Sequence, residues 1–459
     1  MKKVYFLIGA LILILALLIG ASFIIDKKLE DDASFISDHI DVDKLETVNN
    51  IVQSKNKSAE TASALTEMAV TAKETQLKKL NDSVYKHEII VTDLGELKVD
   101  ALLSDEEWQN RLDCGINQAN INLSNKECSG LFYYDQIDPS LKQLYLEIYI
   151  SLNNFVESFY VCSVNPDDID YAFNCVMGDH PDIFYTNGYM FTKYTFGDDI
   201  VKIEFTPAYT MSKKESDEYM KRVKEYKEAF LKGIDKNADD YTKIKYTYEF
   251  IIYNTEYDLN APQNQNILSV FVYGKSVCQG YSKAFQYLAS SLGITSTLVV
   301  GYVGNNEGHA WNMVKCNGAY YYIDCTWGDS SYLENSFSID SGGINFDYLN
   351  ITTKELEITH VIDNFASLPI CDKTEENYYV KEGLYFTELN EPQISLAFEN
   401  AKMMGKDTIE FKCADIYVYN QMGEYLLNQN HIFDYLSSDM ESIKFMQNSD
   451  LYIYCFPLN

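Results

Sequence analysis

Cys278 stands in the run Ser276-Val277-Cys278-Gln279. Ser276 with Gln279 three positions on reads as a capping box, so a helix is expected to begin there. Tyr281, Ala284, Phe285, Leu288 and Leu292 fall on one apolar face of that helix, and Gly293 ends it. Cys278 then lies in the first turn. There the unsatisfied N–H groups and the helix dipole favour a thiolate, the reactive form of cysteine. Residues 295–303 read as a strand and 304–308 as a turn. Residues 309–315 and 320–326 read as two strands flanking Asn317-Gly318, a dipeptide that favours a two-residue hairpin. Such a turn pairs Cys316 with Ala319. Counting back, Trp311 faces Asp324 and His309 faces Thr326. Alternation puts His309, Trp311, Asp324 and Thr326 on one face, and Val314, Tyr321 and Ile323 on the other. His309 and Asp324 become diagonal neighbours about 7–8 Å apart at the backbone, within side-chain reach. A one-residue slip would destroy the arrangement.

A thiol at a helix start beside a histidine–carboxylate pair is the set that acyl transfer needs. His309 would deprotonate Cys278 and later protonate a leaving amine. Asp324 would hold the imidazole tautomer and stabilise imidazolium. The backbone N–H of Cys278 and one further donor would meet the oxyanion. Taken singly, each residue has a plainer reading. A cysteine in a helix is more often a small core residue. His309 alone is a turn histidine, and Asp324 alone a strand-end cap.

Three motifs together carry a resemblance. Gly274-Lys-Ser-Val-Cys278-Gln-Gly-Tyr-Ser-Lys-Ala-Phe, Gly308-His309-Ala-Trp-Asn and Tyr321-Tyr-Ile-Asp324-Cys-Thr-Trp-Gly-Asp resemble the bacterial transglutaminase-like superfamily in order and spacing. The likeness extends upstream through 246–265 and more faintly to Asp179-His-Pro-Asp-Ile-Phe, and downstream to Tyr378-Tyr-Val-Lys-Glu-Gly. Its core covers under a third of the chain. The resemblance implies an α+β fold with a papain-like core: a helix bearing the cysteine, packed on an antiparallel sheet bearing His309 and Asp324. It also implies a thioester acyl-enzyme. Tyr257 and Gln265 are candidates for the second oxyanion donor from their upstream position. Tyr281, Trp311 and Trp327 are candidate substrate-binding residues that frame the cleft, whereas Asn312 should face away. The chain departs from the pattern at Cys325, where many relatives place Val or Pro. Cys325 should point away from Asp324.

No cofactor is expected. The sequence holds no HExxH, no CxxC and no EF-hand loop. His39, His87, His180, His360 and His431 are scattered and read as surface or capping residues. Lys+Arg 37 against Asp+Glu 68 gives a net charge of −31, which excludes the basic surface that nucleic acid requires. Hydrophobic residues at 46% and charged residues at 23% exclude a disordered chain. The 37 tyrosines argue for an aromatic-rich sheet or a wide binding surface.

Lys2 and Lys3 precede residues 4–25, which carry no charge and are mostly apolar. At 1.5 Å per residue this run spans a bilayer core of roughly 30 Å. It is longer than the apolar part of a signal peptide, and the leading lysines send the rest outward. The expectation is a single-pass protein of the cell membrane with its catalytic part extracytoplasmic, or secreted if residues 19–21 are cleaved. Its substrates would be proteins or peptides, wall peptide among them.

The expected organisation is an anchor (1–28), a helical or flexible stalk (29–92), an N-terminal α+β domain (93–235), the core (236–372) and a small α/β domain (373–459). Leu65, Met68 and Ala72, then Leu77, Leu80 and Val84, recur at three- and four-residue steps in the stalk. Helices are expected at 141–155, 167–177, 212–232 and 393–404. Hairpin strands are expected over 185–205 with Gly188 and Gly197 as turns, and further strands at 408–419 and 444–456. Ten cysteines suit an oxidising compartment, with Cys114–Cys128 and Cys162–Cys175 as candidate bridges beside the alternative of buried free thiols. The alternative to an enzyme is a catalytically silent surface binding module on the same fold.

Overall fold

Helix starts in the N-terminal part of the computed structural model, which describes residues 86–93, 103–329, 344–437 and 442–458, mostly coincide with side-chain caps. The chain enters as β1 (Lys86–Asp93), followed by α1 (Asp105–Asp113), capped by Ser104, and α2 (Gln118–Cys128), capped by Asn117. Then come α3 (Phe132–Gln136), α4 (Lys142–Asn153), β2 (Phe159–Tyr160) and α5 (Pro166–Asp179), which starts on Asn165 with proline at its first position. The hairpin β3 (Thr186–Phe196) and β4 (Asp199–Tyr209) turns at Gly197, whose φ of 61° suits glycine. Gly188 is not a turn. It lies within β3 opposite Lys86, beside a shift in the β3–β4 register. A capping box of Ser212 and Glu215 opens α6 (Lys213–Lys232), and Gly233 closes it.

The sheet order here is β1-β3-β4-β2. Its edge corrects the stalk boundary, because residues 86–93 pair with β3 in parallel rather than continuing a helix. The rest of the stalk and the apolar run 4–25 lie outside the described residues. Among the described residues no helix is long and apolar enough to cross a membrane.

The middle of the chain builds the sheet that matters for chemistry. In order it holds α7 (Asp240–Tyr253), β5 (Glu256–Tyr257), α8 (Ile267–Tyr273), β6 (Lys275–Ser276) and α9 (Cys278–Ser291). Next are β7 (Ser296–Val303), β8 (Glu307–Cys316), β9 (Ala319–Ile323), α10 (Cys325–Gly328), β10 (Leu349–Ile351), α11 (Thr353–Leu356) and β11 (His360–Ile362). The sheet runs β10-β9-β8-β7-β11, antiparallel throughout. Asn317 and Gly318 have φ of 47° and 89°, the left-handed pair a tight hairpin demands, and Cys316 pairs with Ala319 as expected. Helix α9 lies across β8 and β7 with Tyr281, Ala284, Phe285 and Leu288 fully buried.

The last third adds α12 (Tyr378–Lys381), β12 (Tyr385–Phe386), α13 (Glu391–Met403), β13 (Thr408–Cys413), α14 (Ile416–Gly423), β14 (Met446–Asn448) and β15 (Ile453–Pro457). The strand expected over 408–419 stops at Cys413, because Asp415 accepts from Val418 N and caps a helix instead. Residues 80–459 form one compact unit. The three segments separated in the sequence share one apolar core and are cross-tied. Tyr133 Oη donates to Leu298 O, Gln286 Nε2 to Gly178 O, and Tyr241 Oη to Glu382. None of the ten cysteines is bridged, which corrects both candidate pairs. Cys114 Sγ points to Ser158 O, and Cys128 Sγ to His180.

Candidate active site

Cys278 is the first residue of α9 and is half-buried. The cap is Val277, not Ser276. Ser276 is drawn into β6, where its Oγ meets Ser269 Oγ at 2.6 Å. Glycine at 280 leaves room for this, since a Cβ there would lie 1.9 Å from Ser276 Oγ. The helix start is thus unblocked by a side chain, and its free N–H groups stay available beside the thiol.

His309 rises from β8. The β8–β9 ladder ends at Asn312–Ile323, one pair before the expected Trp311–Asp324 contact. Asp324 leaves the ladder because its N–H donates to Tyr348 O and its side chain caps α10. Thr326 is therefore helical and does not face His309 across the strands. The expected meeting of His309 and Asp324 occurs all the same: His309 Nε2 lies 2.6 Å from Asp324 Oδ2. The Cys278 thiol also acts to raise this imidazole, and with Nε2 taken by Asp324, Nδ1 is the nitrogen left for it.

Asp324 is fully buried and receives four donors. Thr326 N and Trp327 N reach Oδ1 at 2.8 and 3.1 Å, and His309 Nε2 and His360 Nε2 reach Oδ2 at 2.6 and 3.1 Å. Burial opposes its charge. His309 and then His360 outweigh burial and hold the carboxyl well below the usual range. Burial also opposes charge on His309, yet Asp324, helped by Cys278, raises the imidazole to about 10. Burial lowers His360, which is neutral.

His309, Asp324 and His360 are a metal-ligand type of set among the described residues. Ligands about 2.0–2.1 Å from a tetrahedral zinc sit roughly 3.3 Å apart. The separations of 2.6 and 3.1 Å to one carboxylate oxygen are hydrogen-bond lengths, so the set is arranged around protons.

The raised His309 gives a pH prediction. The folded chain keeps that proton up to about 10, while an unfolded histidine releases it near 6.5. Stability therefore falls as pH rises between these values, by an order of 4 kcal/mol at pH 9.5. Asp324, depressed, contributes equally across this window. Urea unfolding at pH 6.5 and 9.5 should show the decline in the wild type and a much smaller one in His309→Gln. An equal decline in both would contradict the assignment.

Several expected residues sit elsewhere or do other things. His360 is not at the surface: it is 1% exposed and bonded to Asp324. His180 does end α5 but is buried, with its Nε2 3.0 Å from Tyr145 Oη. His431 is exposed beside Asp434. His87 falls in β1, and His39 lies outside the described residues. Tyr281 does not frame a cleft. It is fully buried, and its hydroxyl donates to Thr255 O and Asp329, tying α9 to the loop after α10. Trp311 is also fully buried, stacked behind His309 at 5.9 Å. Trp327 is half-buried against His309 and His360, and its Nε1–H has no partner among the described residues. Gln265 is exposed and turned onto Asn264 Oδ1, so its side chain is committed to its neighbour. Tyr257 packs its ring 6.3 Å from Tyr281. Asn312 spends its amide on the carbonyls of Ser282 and Thr297. Cys325 is buried away from solvent, which pushes its thiol far up and makes it inert. The one sequence signal for His360 is its place among Ile358, Thr359, Val361 and Ile362, a β-branched run in which a histidine faces inward or outward with equal right.

Residues 228–325 match a family model described as the transglutaminase-like superfamily, a span that holds Cys278, His309 and Asp324. The matched segment lies within a mixed α+β fold. The chain is similar to a solved TGase at 13% identity over 34% of this chain and 54% of that one, with a TM-score of 0.24. It is similar to a candidate cysteine protease from Cytophaga hutchinsonii at 13% identity, over 30% and 61% of the two chains, with a TM-score of 0.20. A candidate protease from Parabacteroides distasonis is 10% identical over 32% and 42%, with a TM-score of 0.19. The aligned part spans about half the length of the first of these structures. No curated protein matches.

Proposed function

We propose that the protein is a membrane-anchored, extracytoplasmic thiol enzyme of the transglutaminase-like type that acts on amide bonds through a thioester at Cys278. The observation that carries this is one imidazole, His309, held at 2.6 Å by a buried carboxylate and raised further by the Cys278 thiol at a helix start. His309 already holds the thiol proton as imidazolium, and Cys278 Sγ attacks the amide carbonyl carbon. The N–H of Cys278 meets the oxygen that becomes negative. His309 returns the proton to the departing amine as the C–N bond breaks, leaving a thioester. Water, deprotonated by the same imidazole, then releases the acid and restores the thiol. An amine in place of water would give a new amide. We place hydrolysis of peptide or side-chain amides ahead of cross-linking, because water needs no binding site of its own. The location rests on the apolar run 4–25 behind Lys2 and Lys3.

Glutamine- and lysine-containing peptides, with and without a small primary amine, provide the test. Mass spectrometry separates cleavage, deamidation and amine incorporation. Turnover by the wild type that vanishes in Cys278→Ala is expected. Turnover that survives in Cys278→Ala contradicts the thioester route, and peptide binding without turnover favours the silent binding module.

A further inference from the structure

His360 lies 35 residues beyond the matched family segment, on the edge strand β11. We propose that His360 is a positioning residue: its Nε2–H holds Asp324 Oδ2 and so keeps the carboxylate aimed at His309. This rests on the reading of Cys278, His309 and Asp324 given above.

One arrangement of protons along the buried chain serves the ionised carboxylate. Asp324 is ionised and can only accept, so His360 Nε2 carries the proton and Nδ1 accepts. Thr359 Oγ1, 2.8 Å from Nδ1 and 3.4 Å from Leu356 O, then gives its proton to the nearer ring nitrogen, and it accepts in turn from Tyr348 Oη at 3.1 Å. Tyr348, Thr359, His360 and Asp324 thus point every bond toward the carboxylate. The ring itself is fixed by Trp311, Trp327 and Tyr348, with centroids at 4.9, 4.8 and 5.4 Å. The charged or titratable groups facing His360 are Asp324 and His309, with the Tyr348 hydroxyl behind.

Oδ1 is tied to backbone, so among the described residues the direction of Oδ2 depends on the two histidines. His309 must move protons during turnover and cannot serve as a permanent tether. His360 is neutral and takes no such part. Without it, Oδ2 is free to turn away, and the imidazolium that balances a Cys278 thiolate is less well held.

The test is alkylation of Cys278 by iodoacetamide in the full chain, located by mass spectrometry, at pH 6.5 and 9.5. His360→Phe keeps the ring and removes both nitrogens. It should slow labelling about tenfold at pH 6.5, the equivalent of one pKa unit of imidazolium stabilisation. It should match the wild type at pH 9.5, where a thiol ionises unaided. His360→Gln, which restores an N–H at similar reach, should recover most of the loss. Thr359→Val leaves the histidine in place and should move the rate the same way by less, which keeps the idea testable if His360→Phe does not fold. In an Asp324→Asn background His360→Phe should add nothing. Equal slowing at both pH values, no rescue by glutamine, or full additivity with Asp324→Asn would overturn the proposal. A wild type that labels fast beside an unaffected His360→Phe overturns it alone. A wild type no faster at pH 6.5 than the urea-unfolded chain overturns the reading of the site as well.

Discussion

Asparagine at position 324 is expected to lower turnover by about three to four orders of magnitude while the chain stays folded. The carboxylate accepts four hydrogen bonds, two from backbone amides and two from imidazoles. The amide oxygen of asparagine can still serve Thr326 N and Trp327 N, so the cap on α10 survives. Its NH2 group then faces two imidazole N–H groups, and donor meets donor. Relief requires both histidines to change tautomer. A His309 with its proton on Nδ1 cannot accept from the Cys278 thiol. The variant also removes the charge that raises His309. The measurement is kcat/KM on any peptide the wild type turns over, with Cys278 labelling as a substrate-free readout and circular dichroism as the control for folding. A folded Asp324→Asn within tenfold of wild type would contradict the account.

The second large effect is steric. Gly301 sits on β7 between His309 on β8 and Ile362 on β11. A Cβ there would lie 2.0 Å from Val361 O, 2.8 Å from Trp311 Cη2 and 3.0 Å from Asp363 N. Two of these are backbone atoms that no rotamer can move. Gly301→Ala must push β11 away from the sheet, and β11 carries His360. Overpacking of this kind costs about 3 kcal/mol. Urea unfolding should show that loss, and Cys278 labelling at pH 6.5 should slow with it. An unchanged unfolding midpoint would contradict the close approach. At Gly328 an added Cβ would lie 2.0 Å from Tyr248 Oη, a clash with a buried side chain rather than with backbone.

The parts of the site that depend on local rules are legible in the sequence. Asn317-Gly318 dictates the hairpin and its register, and the apolar spacing after Cys278 dictates α9. The hairpin brings His309 and the residues leading to Asp324 side by side, while the packing of α9 against them is what the resemblance implies and the structure shows. What the sequence hides is settled by distant partners. Ser276 looks like a helix cap, but Ser269 claims its hydroxyl and β5 pairs with its strand. Asp324 looks like the end of a strand, but Tyr348 takes its N–H and turns the chain into α10. Tyr281 looks like a cleft residue until Asp329 folds back over it. His360 depends on β11 closing against β7, a pairing between residues some sixty positions apart that no local pattern announces. The cysteines show the same limit. Spacing permits Cys114–Cys128, yet Cys128 is packed toward His180 and Cys114 toward Ser158.

The central claim is that His309, oriented by Asp324, activates Cys278. Its most direct test is the pH dependence of Cys278 alkylation in wild type and His309→Ala, with the labelled site located by mass spectrometry. The account predicts rapid labelling of wild-type Cys278 at pH 6, at least tenfold above that of an unstructured cysteine. In His309→Ala the rate should fall to the unstructured level at pH 6 and recover only in alkali. A Cys278 that labels slowly at pH 6, or one whose rate is indifferent to His309, would contradict it.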